Sequence, residues 1–411
     1  MIAGWESAPI GDICDVVNGG TPKTDVPEYW GGPHRWITPA EMGKRSTPYI
    51  DQTDRTITDQ GLQNSSARPL PPYSVILSSR APIGHLVINT EPMATNQGCK
   101  GLVPRSRIDH KFLYYYLGSI VDLLNELGTG TTFKELSGGK LKEVKVPVPP
   151  IAEQRRIVAI LDEAFEGIAT AKANAEKNLQ NARSALDSVR QEAFALLAAS
   201  FSSVRLGAVC AFENGDRGKN YPGKQHRVAH GVPFINAGHL SEEGIDFGSM
   251  DYISPDRFAL LGNGKIRPDD ILFCLRGSLG KFASVGDLAV GAIASSLVIL
   301  RPDKTLAHDY LAAYLSSRQC ADMIERFKGG AAQPNLGATD LKKFEIPLPP
   351  LPVQLEAASR LDELQLQTRS LAGIYSAKLA ALDDLKKSLL HQAFTGALTA
   401  KSTDKQLEAV A

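Results

Sequence analysis

Two long stretches of the chain carry apolar residues at alternating steps of three and four, the spacing typical of a helix that packs along another helix. Residues 147–200 begin with Pro147-Val148-Pro149-Pro150, and residues 347–400 begin with Pro347-Leu348-Pro349-Pro350. Proline is tolerated in the first turn of a helix but not in its interior. The pattern therefore predicts two long helices that start at these prolines. The predicted apolar seam includes Leu161, Ile168, Leu179, Leu186, Leu361, Leu371, Leu379 and Leu382.

The two stretches belong to an internal repeat with a period of about 200 residues. In the helical parts, Gln154, Leu161, Asp162, Glu163 and Phe194 recur as Gln354, Leu361, Asp362, Glu363 and Phe394. The globular parts match more loosely, with Arg80 and Arg276 at corresponding places. The helices thus agree closely, whereas the domains before them share only a scaffold. A duplication without functional meaning is the alternative interpretation.

The segments before the two helices have the pattern of mixed α/β or mostly β domains. Turn clusters are dense, short apolar runs such as Ser74–Ser78 and Asp270–Cys274 fit strands, and helices are predicted over 110–127 and 308–327. Antiparallel packing of the long helices would bury both seams and place the domains at opposite ends. The predicted fold class is α+β, with two similar α/β domains (1–146 and 201–346) separated by two long helices (147–200 and 347–400) that form an antiparallel coiled coil with an internal pseudo-two-fold repeat, followed by a flexible tail (401–411).

Composition narrows the class of protein. The chain has 45 Lys and Arg against 45 Asp and Glu, which argues mildly against a protein that coats nucleic acid by bulk charge but is compatible with a local basic face. Its five cysteines are scattered without metal-site spacing, as expected for buried thiols in a reduced, cytoplasmic protein. No apolar run is long enough for a membrane span, and the first residues lack the pattern of a signal peptide.

Several motifs are distributed over nearly the whole chain. They are the start Gly4-Trp5-Glu6, the loop Asn18-Gly19-Gly20-Thr21-Pro22, the segments Ser79–Gly84 and Leu275–Gly280, and two Pro-x-Pro-Pro-(Ile/Leu)-x-x-Gln helix entries. With two unlike domains alternating with two similar helices, this combination resembles the specificity subunit of a Type I restriction-modification system. One departure is Pro352-Val353 in place of Ala152-Glu153, which predicts that the second helix starts a turn later or kinks.

The resemblance implies a division of labour. Each globular domain would be a target-recognition domain that reads one part of a bipartite, asymmetric sequence in double-stranded DNA. The coiled coil would act as a ruler and help to bind two methyltransferase subunits, which carry S-adenosylmethionine. Restriction subunits, which use ATP and Mg²⁺, would then join the complex, while this chain would bind no metal or cofactor itself. The alternative from another class is a coiled-coil adaptor whose globular ends bind proteins, which the neutral charge favours slightly.

The sequence contains no complete catalytic motif. An amino-methylating enzyme needs Asp or Asn before Pro-Pro and an aromatic residue, and the nearest match, Leu70-Pro71-Pro72-Tyr73, begins with a leucine that cannot accept a hydrogen bond from the target amine. Cofactor-binding and phosphate-binding glycine loops are missing. Pro302-Asp303-Lys304 and Glu143-Val144-Lys145 are only fragments of a nuclease metal site. The chain is therefore predicted not to be an enzyme.

DNA contacts require Arg, Lys, Asn or Gln on loops and strand ends. The candidates are Lys23, Lys44, Arg45, Arg80, Asn96, Gln97 and Lys100 in the first domain, and Arg217, Lys219, Lys224, Arg227, Arg276 and Lys281 in the second. Residues that differ between the domains are the better candidates for reading bases. For Arg80 and Arg276, a DNA contact and a structural ion pair are both open interpretations.

Overall fold

A computed structural model describes residues 5–45, 47–130, 134–241, 244–330 and 334–400. The chain divides into two compact units, Met1–Ala175 with Ala377–Ala411, and Glu176–Ser376. Each unit therefore contains one globular domain and a half of each long helix. The tail 401–411, which was expected to be flexible, lies outside the described residues.

The first globular domain is a mixed α/β fold. Its elements are β1 (Glu6–Pro9), α1 (Ile10–Ile13), β2 (Cys14–Asn18), β3 (Trp30–Ile37), α2 (Pro39–Met42), β4 (Tyr49–Ile50), β5 (Arg55–Ile57), α3 (Asp59–Gln63), β6 (Val75–Ser79), β7 (Ile83–Asn89), β8 (Met93–Thr95), β9 (Cys99–Pro104), α4 (His110–Ser119), α5 (Val121–Leu127), α6 (Gly138–Glu143) and β10 (Lys145–Val148). The main sheet has the order β2-β9-β6-β7-β4, and a smaller sheet has the order β5-β3-β8. β1 pairs with β10, so the chain enters and leaves the domain at one place.

The second globular domain repeats this plan. Its elements are β11 (Ser203–Arg205), α8 (Leu206–Val209), β12 (Cys210–Asn214), β13 (Arg227–Val228), β14 (Val232–Ile235), β15 (Leu240–Ser241), β16 (Gly244–Ile245), β17 (Tyr252–Ile253), α9 (Pro255–Ala259), β18 (Ile271–Cys274), β19 (Phe282–Ser284), β20 (Ala292–Ile293), β21 (Leu297–Pro302), α10 (His308–Leu315), α11 (Arg318–Phe327), α12 (Ala338–Leu341) and β22 (Glu345–Pro347). The sheet β12-β21-β18-β19 corresponds to β2-β9-β6-β7, and β11 pairs with β22.

The central strands explain why these sequences fold as sheets. All residues of β6 and of β18 are buried, as expected for strands rich in branched apolar residues that are covered on both faces. On one face of each sheet lie the paired short helices that follow β9 and β21. The helices predicted over 110–127 and 308–327 are each two helices in the structure, because the chain turns at Ile120 and at Ser316-Ser317.

The long helices begin at equivalent residues. α7 spans Ile151–Ser200 and α13 spans Leu351–Phe394. Each begins four residues later than the sequence pattern predicted, because Pro147 and Pro347 still belong to the strands β10 and β22. The expectation that Pro352-Val353 delays the second helix is wrong, since Pro352 lies in the first turn, where a missing N–H has no partner to lose.

Within each unit the two helices run antiparallel and are bridged by polar side chains. The Lys172 ammonium group contacts the Asp383 carboxylate in the first unit. In the second unit, an Arg190 Nη2–H group donates to Gln365 Oε1 over 3.2 Å. The predicted α+β class with an antiparallel coiled coil and an internal repeat is confirmed.

The predicted seam residues differ in burial. Leu161, Ile168 and Leu361 are buried, and Leu179, Leu186, Leu379 and Leu382 are half-buried. Leu371 is 41% exposed, so its assignment to the seam is corrected. The strict three-four spacing continues from Thr368 to Ala372, which is half-buried and takes the inward position.

Candidate functional site

Three loops of the first domain meet a fourth where the central strands of its main sheet end. The Gly20 N–H donates to the Thr95 carbonyl at 2.8 Å, and the Ser79 N–H donates to the Gly98 carbonyl at 2.8 Å. The Leu136 N–H in turn donates to the Ser79 carbonyl at 2.9 Å. These bonds hold together what we call loop cluster 1, which consists of residues 18–23, 79–84, 95–98 and 134–137.

The second domain has the same arrangement. The Leu275 N–H donates to the Ser296 carbonyl at 2.8 Å, and the Leu336 N–H donates to the Leu275 carbonyl at 2.9 Å. The bonds occupy the places of those made by Ser79 and Leu136 in the first domain. Loop cluster 2 consists of residues 214–219, 275–280, 294–296 and 334–337.

Close backbone packing shapes the glycine loop of loop cluster 1. A Cβ atom on Gly19 would lie 1.8 Å from the Asn96 carbonyl oxygen, and one on Gly20 would lie 2.2 Å from the Ala67 nitrogen. Only glycine fits at such distances. The Asn18-Gly19-Gly20 motif therefore brings two loops into contact.

Two tryptophans hold the rest of that loop in place. The Trp36 indole N–H donates to the Gly20 carbonyl at 2.9 Å, and the Trp30 indole N–H donates to the Lys23 carbonyl at 3.1 Å. The Arg55 guanidinium lies 3.7 Å from the centre of the Trp30 ring, an attractive cation–π geometry. The exposed side chain of Lys23 thus projects from a backbone that is fixed on its inner side.

The amide-bearing residues of loop cluster 1 have different environments. Gln97 is exposed and its side chain contacts the Thr21 hydroxyl. The Asn96 side-chain oxygen accepts a hydrogen bond from the Gly98 N–H at 2.9 Å, so it stabilises the turn in which Asn96 itself lies. Gln97 is therefore the more accessible of the two to a ligand.

Arg80 and Arg276 lie at equivalent, exposed positions in the two loop clusters. Each forms an isolated backbone bridge to the fourth loop, Arg80 with Glu135 and Arg276 with Asn335. The Arg80 Nη1 atom is 3.9 Å from Glu135 Oε2, and both side chains are nearly half exposed. In the second domain an uncharged asparagine stands where this acid stands in the first.

An aspartate organises the basic loop of loop cluster 2. Asp216 accepts hydrogen bonds from the Gly218 N–H at 2.7 Å and the Gly262 N–H at 2.9 Å, and these bonds lower the pKa of its carboxyl group. The Arg217 Nη2–H group donates to the Ser295 carbonyl at 3.3 Å, and Lys219 is exposed. The loop thereby presents two cations at the edge of the cluster.

The remaining predicted residues lie outside the loop clusters or have other partners. Lys100 is buried at 6% exposure within β9, and we correct its assignment to a DNA-contacting surface. Arg45 bonds the buried Glu41 at 2.9 Å and the Gln52 carbonyl, and Arg227 pairs with Asp251 at 2.7 Å, so both have structural partners. Lys44 and Lys224 are exposed, and Lys281 donates to the Ala237 carbonyl at 3.4 Å.

Sequence reasoning did not assign the fourth loop of either cluster to the site. The sequence feature that pointed to this loop was the recurrence of Gly130 and Leu136 as Gly330 and Leu336. This recurrence identified the loop only as part of the repeat. The exposed Lys134 and half-buried Glu135 belong to this loop. They reach the cluster through the backbone bridge to Arg80, a contact between residues distant in sequence.

The cysteines are buried, as the sequence predicted. Burial raises the pKa of the Cys99 and Cys320 thiols to about 12, so both are protonated at neutral pH. Within the described ranges, no three His, Cys, Asp or Glu side chains form a group that could hold a metal ion. No helix in this part of the chain has an apolar stretch that could cross a bilayer.

Comparison with known proteins gives a consistent result over both halves. Residues 2–180 and 200–377 each match the family model described as the Type I restriction modification DNA specificity domain. The specificity subunit of the Type I restriction enzyme MjaIX from Methanocaldococcus jannaschii is 28% identical over 85% of this chain and 84% of its own length. That of EcoKI from Escherichia coli is 22% identical over 97% of this chain and 90% of its own length.

Solved structures show the same fold. A chain from a study of complex assembly and conformational transition of the type I R-M system is 20% identical, with a TM-score of 0.77 over 95% of this chain and 98% of its own length. The HsdS subunit from Thermoanaerobacter tengcongensis is also 20% identical, with a TM-score of 0.57 over 96% of this chain and 98% of its own length.

Proposed function

The chain belongs to the family of Type I restriction-modification DNA specificity subunits, and from this membership we propose that its two loop clusters each read one part of a bipartite, asymmetric DNA target. As a specificity subunit it recognises DNA sequence and is not itself an enzyme. The alternative of a coiled-coil adaptor has no support from the comparisons.

The observation that supports this proposal is that the two loop clusters have the same backbone hydrogen bonds but carry some different side chains. Within each loop cluster, equivalent hydrogen bonds join the loops, with donors Ser79 and Leu275 at 2.8 Å and donors Leu136 and Leu336 at 2.9 Å. Some exposed residues on this shared frame, such as Gln97 and Arg217, differ between the domains. The shared backbone arrangement would let both domains approach the DNA duplex in the same way, and the different side chains would let them recognise different bases.

We assign roles from this contrast. Arg80 and Arg276 are the shared cations, and a shared cation suits the phosphate backbone, which is the same at every sequence. Lys23 and Lys219 also correspond, at the offset of 196 that relates Asn18 to Asn214, and form a second shared pair. Gln97 in loop cluster 1 and Arg217 in loop cluster 2 have no like residue at the corresponding position of the other domain. Side chains of these types donate and accept at base edges in the major groove.

The partners of the chain follow from the family. Its partners are DNA and the modification and restriction subunits of a Type I system. The finer proposal is that two methyltransferase subunits bind it and supply S-adenosylmethionine. Restriction subunits that use ATP and Mg²⁺ complete the complex, and the assembly works in the cytoplasm.

The proposal is tested by exchanging a domain. Residues 1–146 are replaced by the corresponding segment of another family member, and the methylated sequence is mapped in genomic DNA of cells that make the hybrid complex. We expect one part of the target to change and the other to stay. Replacement of residues 201–346 is the matched control and should change the other part. A hybrid that methylates the original sequence in both parts would show that residues 1–146 do not read DNA.

A second prediction separates a DNA contact of the shared arginines from a structural ion pair. Arg276→Ala and Arg80→Ala should each weaken DNA binding by the complex about tenfold for any target sequence. The slope of log affinity against log salt concentration should also fall by about one, because one phosphate contact fewer releases about one counterion fewer. Glu135→Gln removes the ion pair but keeps Arg80, so it should leave affinity unchanged or raise it. Equal losses for Arg80→Ala and Glu135→Gln in a binding titration at several salt concentrations would assign Arg80 to the ion pair.

A further inference from the structure

Among the described residues, each unit has a polar contact across the helix pair that includes a charged residue from α7. In the first unit, Lys172 contacts Asp383. In the second unit, Arg190 is 8% exposed and donates to Gln365 Oε1 at 3.2 Å, to Asp187 Oδ1 of its own helix at 3.3 Å and to the Ser316 carbonyl at 3.4 Å. A charged group in a helix seam is a known means of fixing which helices pair.

The two contacts share one antiparallel register. Arg190 lies eighteen positions after Lys172 along α7, and Gln365 lies eighteen positions before Asp383 along α13. The repeat of 200 residues therefore allows each contact to be compared with its equivalent in the other unit. The comparison shows which contacts the two halves share.

At these positions the two halves differ. The equivalents of Arg190 and Gln365 are Leu390 and Phe165, both packed against the apolar core of the first unit. The equivalents of Lys172 and Asp383 are Ala372 and Arg183. Each polar contact is thus present once, although the helices around it are repeated.

The apolar contacts between helix ends and domains are, by contrast, the same in both units. Phe194 packs against Tyr310 and Tyr314, and its equivalent Phe394 packs against Phe112 and Tyr116. An α7 helix from a second copy of the chain could therefore offer Phe194 where the first unit uses Phe394. These contacts stabilise the fold but do not distinguish α13 from a second α7.

We propose that Arg190–Gln365 and Lys172–Asp383 make α7 pair with α13 of the same chain instead of with α7 of a second copy. In the same register, two α7 helices would place Arg190 against Phe165, whose side chain cannot replace Gln365 Oε1 as an acceptor, so that Arg190 would keep Asp187 of its own helix but lose its acceptor on the partner helix. They would also place Lys172 against Arg183, two like charges. Two α13 helices would place Gln365 against Leu390 and Asp383 against Ala372, and both polar groups would lose their partners.

The test replaces four residues of the second unit by the residues at the equivalent positions of the first unit. The variant R183D/R190L/Q365F/A372K has an aspartate, a leucine, a phenylalanine and a lysine at the equivalents of Asp383, Leu390, Phe165 and Lys172. Self-pairing then meets none of the penalties above. Two full-length copies with different affinity tags are produced in one cell, purified through one tag and assayed for the other, and the mass is measured by light scattering.

We expect the wild-type chain to be a monomer and the variant to carry at least about ten times more of the second copy, since one lost buried hydrogen bond or charge pair already corresponds to roughly tenfold. The variant R190Q/Q365R is the matched control. It keeps a hydrogen-bonding pair in the reverse order, still penalises self-pairing, and should stay monomeric. If R190Q/Q365R self-associates as strongly as the four-residue variant, the proposal is overturned.

A single substitution decides the matter if the four-residue variant does not fold. Arg190→Leu introduces the residue of position 390 and removes the penalty of Arg190 against Phe165, and it also removes the bonds to Gln365, Asp187 and the Ser316 carbonyl. It should also increase capture of the second copy. Monomers only, from a folded Arg190→Leu chain, would mean that the contact does not select the helix partner. The assay contains no DNA, so its outcome is independent of the proposed DNA-reading surfaces.

Discussion

Replacing Phe194 by alanine should destabilise the second unit by about 3–5 kcal/mol, the usual effect of removing a large side chain from a core. Phe194 is fully buried near the end of α7, with its ring centre 5.4 Å from that of Tyr310 and 5.8 Å from that of Tyr314. Both tyrosines belong to α10, more than a hundred residues later. The cavity would remove the contacts that join the end of α7 to the second domain, so both should lose stability.

The effect should be local to one unit. In hydrogen-exchange mass spectrometry, peptides from α10 should exchange more than about a hundredfold faster, as a loss of 3 kcal/mol requires, while peptides from α4 should stay unchanged. Leu196→Ala, at a site that is 62% exposed on the same helix, is the control and should change stability by less than about 0.5 kcal/mol. Equal acceleration in α4 and α10 would contradict the assignment of Phe194 to the second unit alone.

The equivalent residue should act on the opposite unit. Phe394 is at the end of α13, yet its ring centre lies 5.2 Å from Phe112 and 5.1 Å from Tyr116 in the first domain. Its replacement by alanine should therefore accelerate exchange in α4 and not in α10. The pair of variants thus shows that each domain is completed by the far end of the helix from the other repeat.

Replacing Gln154 or Gln354 by leucine should destabilise the corresponding unit by about 3 kcal/mol, because leucine fits the space but leaves buried hydrogen-bonding groups without partners. Gln154 is fully buried and accepts from the Asp109 N–H at 2.8 Å. It also donates to the Arg107 carbonyl at 2.9 Å and the Pro149 carbonyl at 2.8 Å. These bonds fasten the first turn of α7 to the loop before α4.

Gln354 makes the same set of bonds in the second unit. It accepts from the Ala307 N–H at 2.8 Å and donates to the Thr305 carbonyl at 2.9 Å and the Pro349 carbonyl at 2.8 Å. The repeated glutamine of the helix entries is thus explained by three bonds that leucine cannot make. Both substitutions should act through the docking of the helix on its domain and leave the helix itself intact.

Chemical denaturation of the single variants measures this loss. Gln180→Leu makes the same change at an exposed position of α7 and is the matched control, with an expected effect below about 0.5 kcal/mol. Gln154→Glu keeps the acceptor for the Asp109 N–H but loses both donated bonds, so it tests the donors separately. If Gln154→Leu is as stable as Gln180→Leu, the three bonds do not contribute as argued.

Much of the architecture is encoded locally and was predicted from the chain alone. The three-four spacing and the proline entries gave both long helices, and the repeat of Gln154 in Gln354 marked a shared constraint before its bonds were known. Apolar periodicity predicts helices well because a packed helix must bury a continuous stripe of apolar residues along one face. The error at Leu371 arose because leucine and alanine are both compatible with a seam, and only the packed pair selects Ala372.

The site was predicted less completely, because its residues meet through contacts over long sequence distances. Lys100 has the composition of a DNA contact, yet it lies in a strand between two others and is buried. Arg227 likewise has an acidic partner, Asp251, that sequence spacing did not reveal, whereas Arg45 pairs with Glu41 only four residues before it. The fourth loop joins the site through the bond from the Leu136 N–H to the Ser79 carbonyl and through the contacts of Glu135 with Arg80, more than fifty positions away in the sequence.

By itself, the sequence determined the repeat, the two helices, the class of the domains and the family. It did so because periodicity, proline positions and duplicated motifs express local constraints that each segment must satisfy alone. The tertiary structure decided which loops form each cluster, which cations are exposed and which helix faces meet across Lys172–Asp383 and Arg190–Gln365. These depend on residues brought together by folding, and the free energy of each contact exists only once both partners are in place.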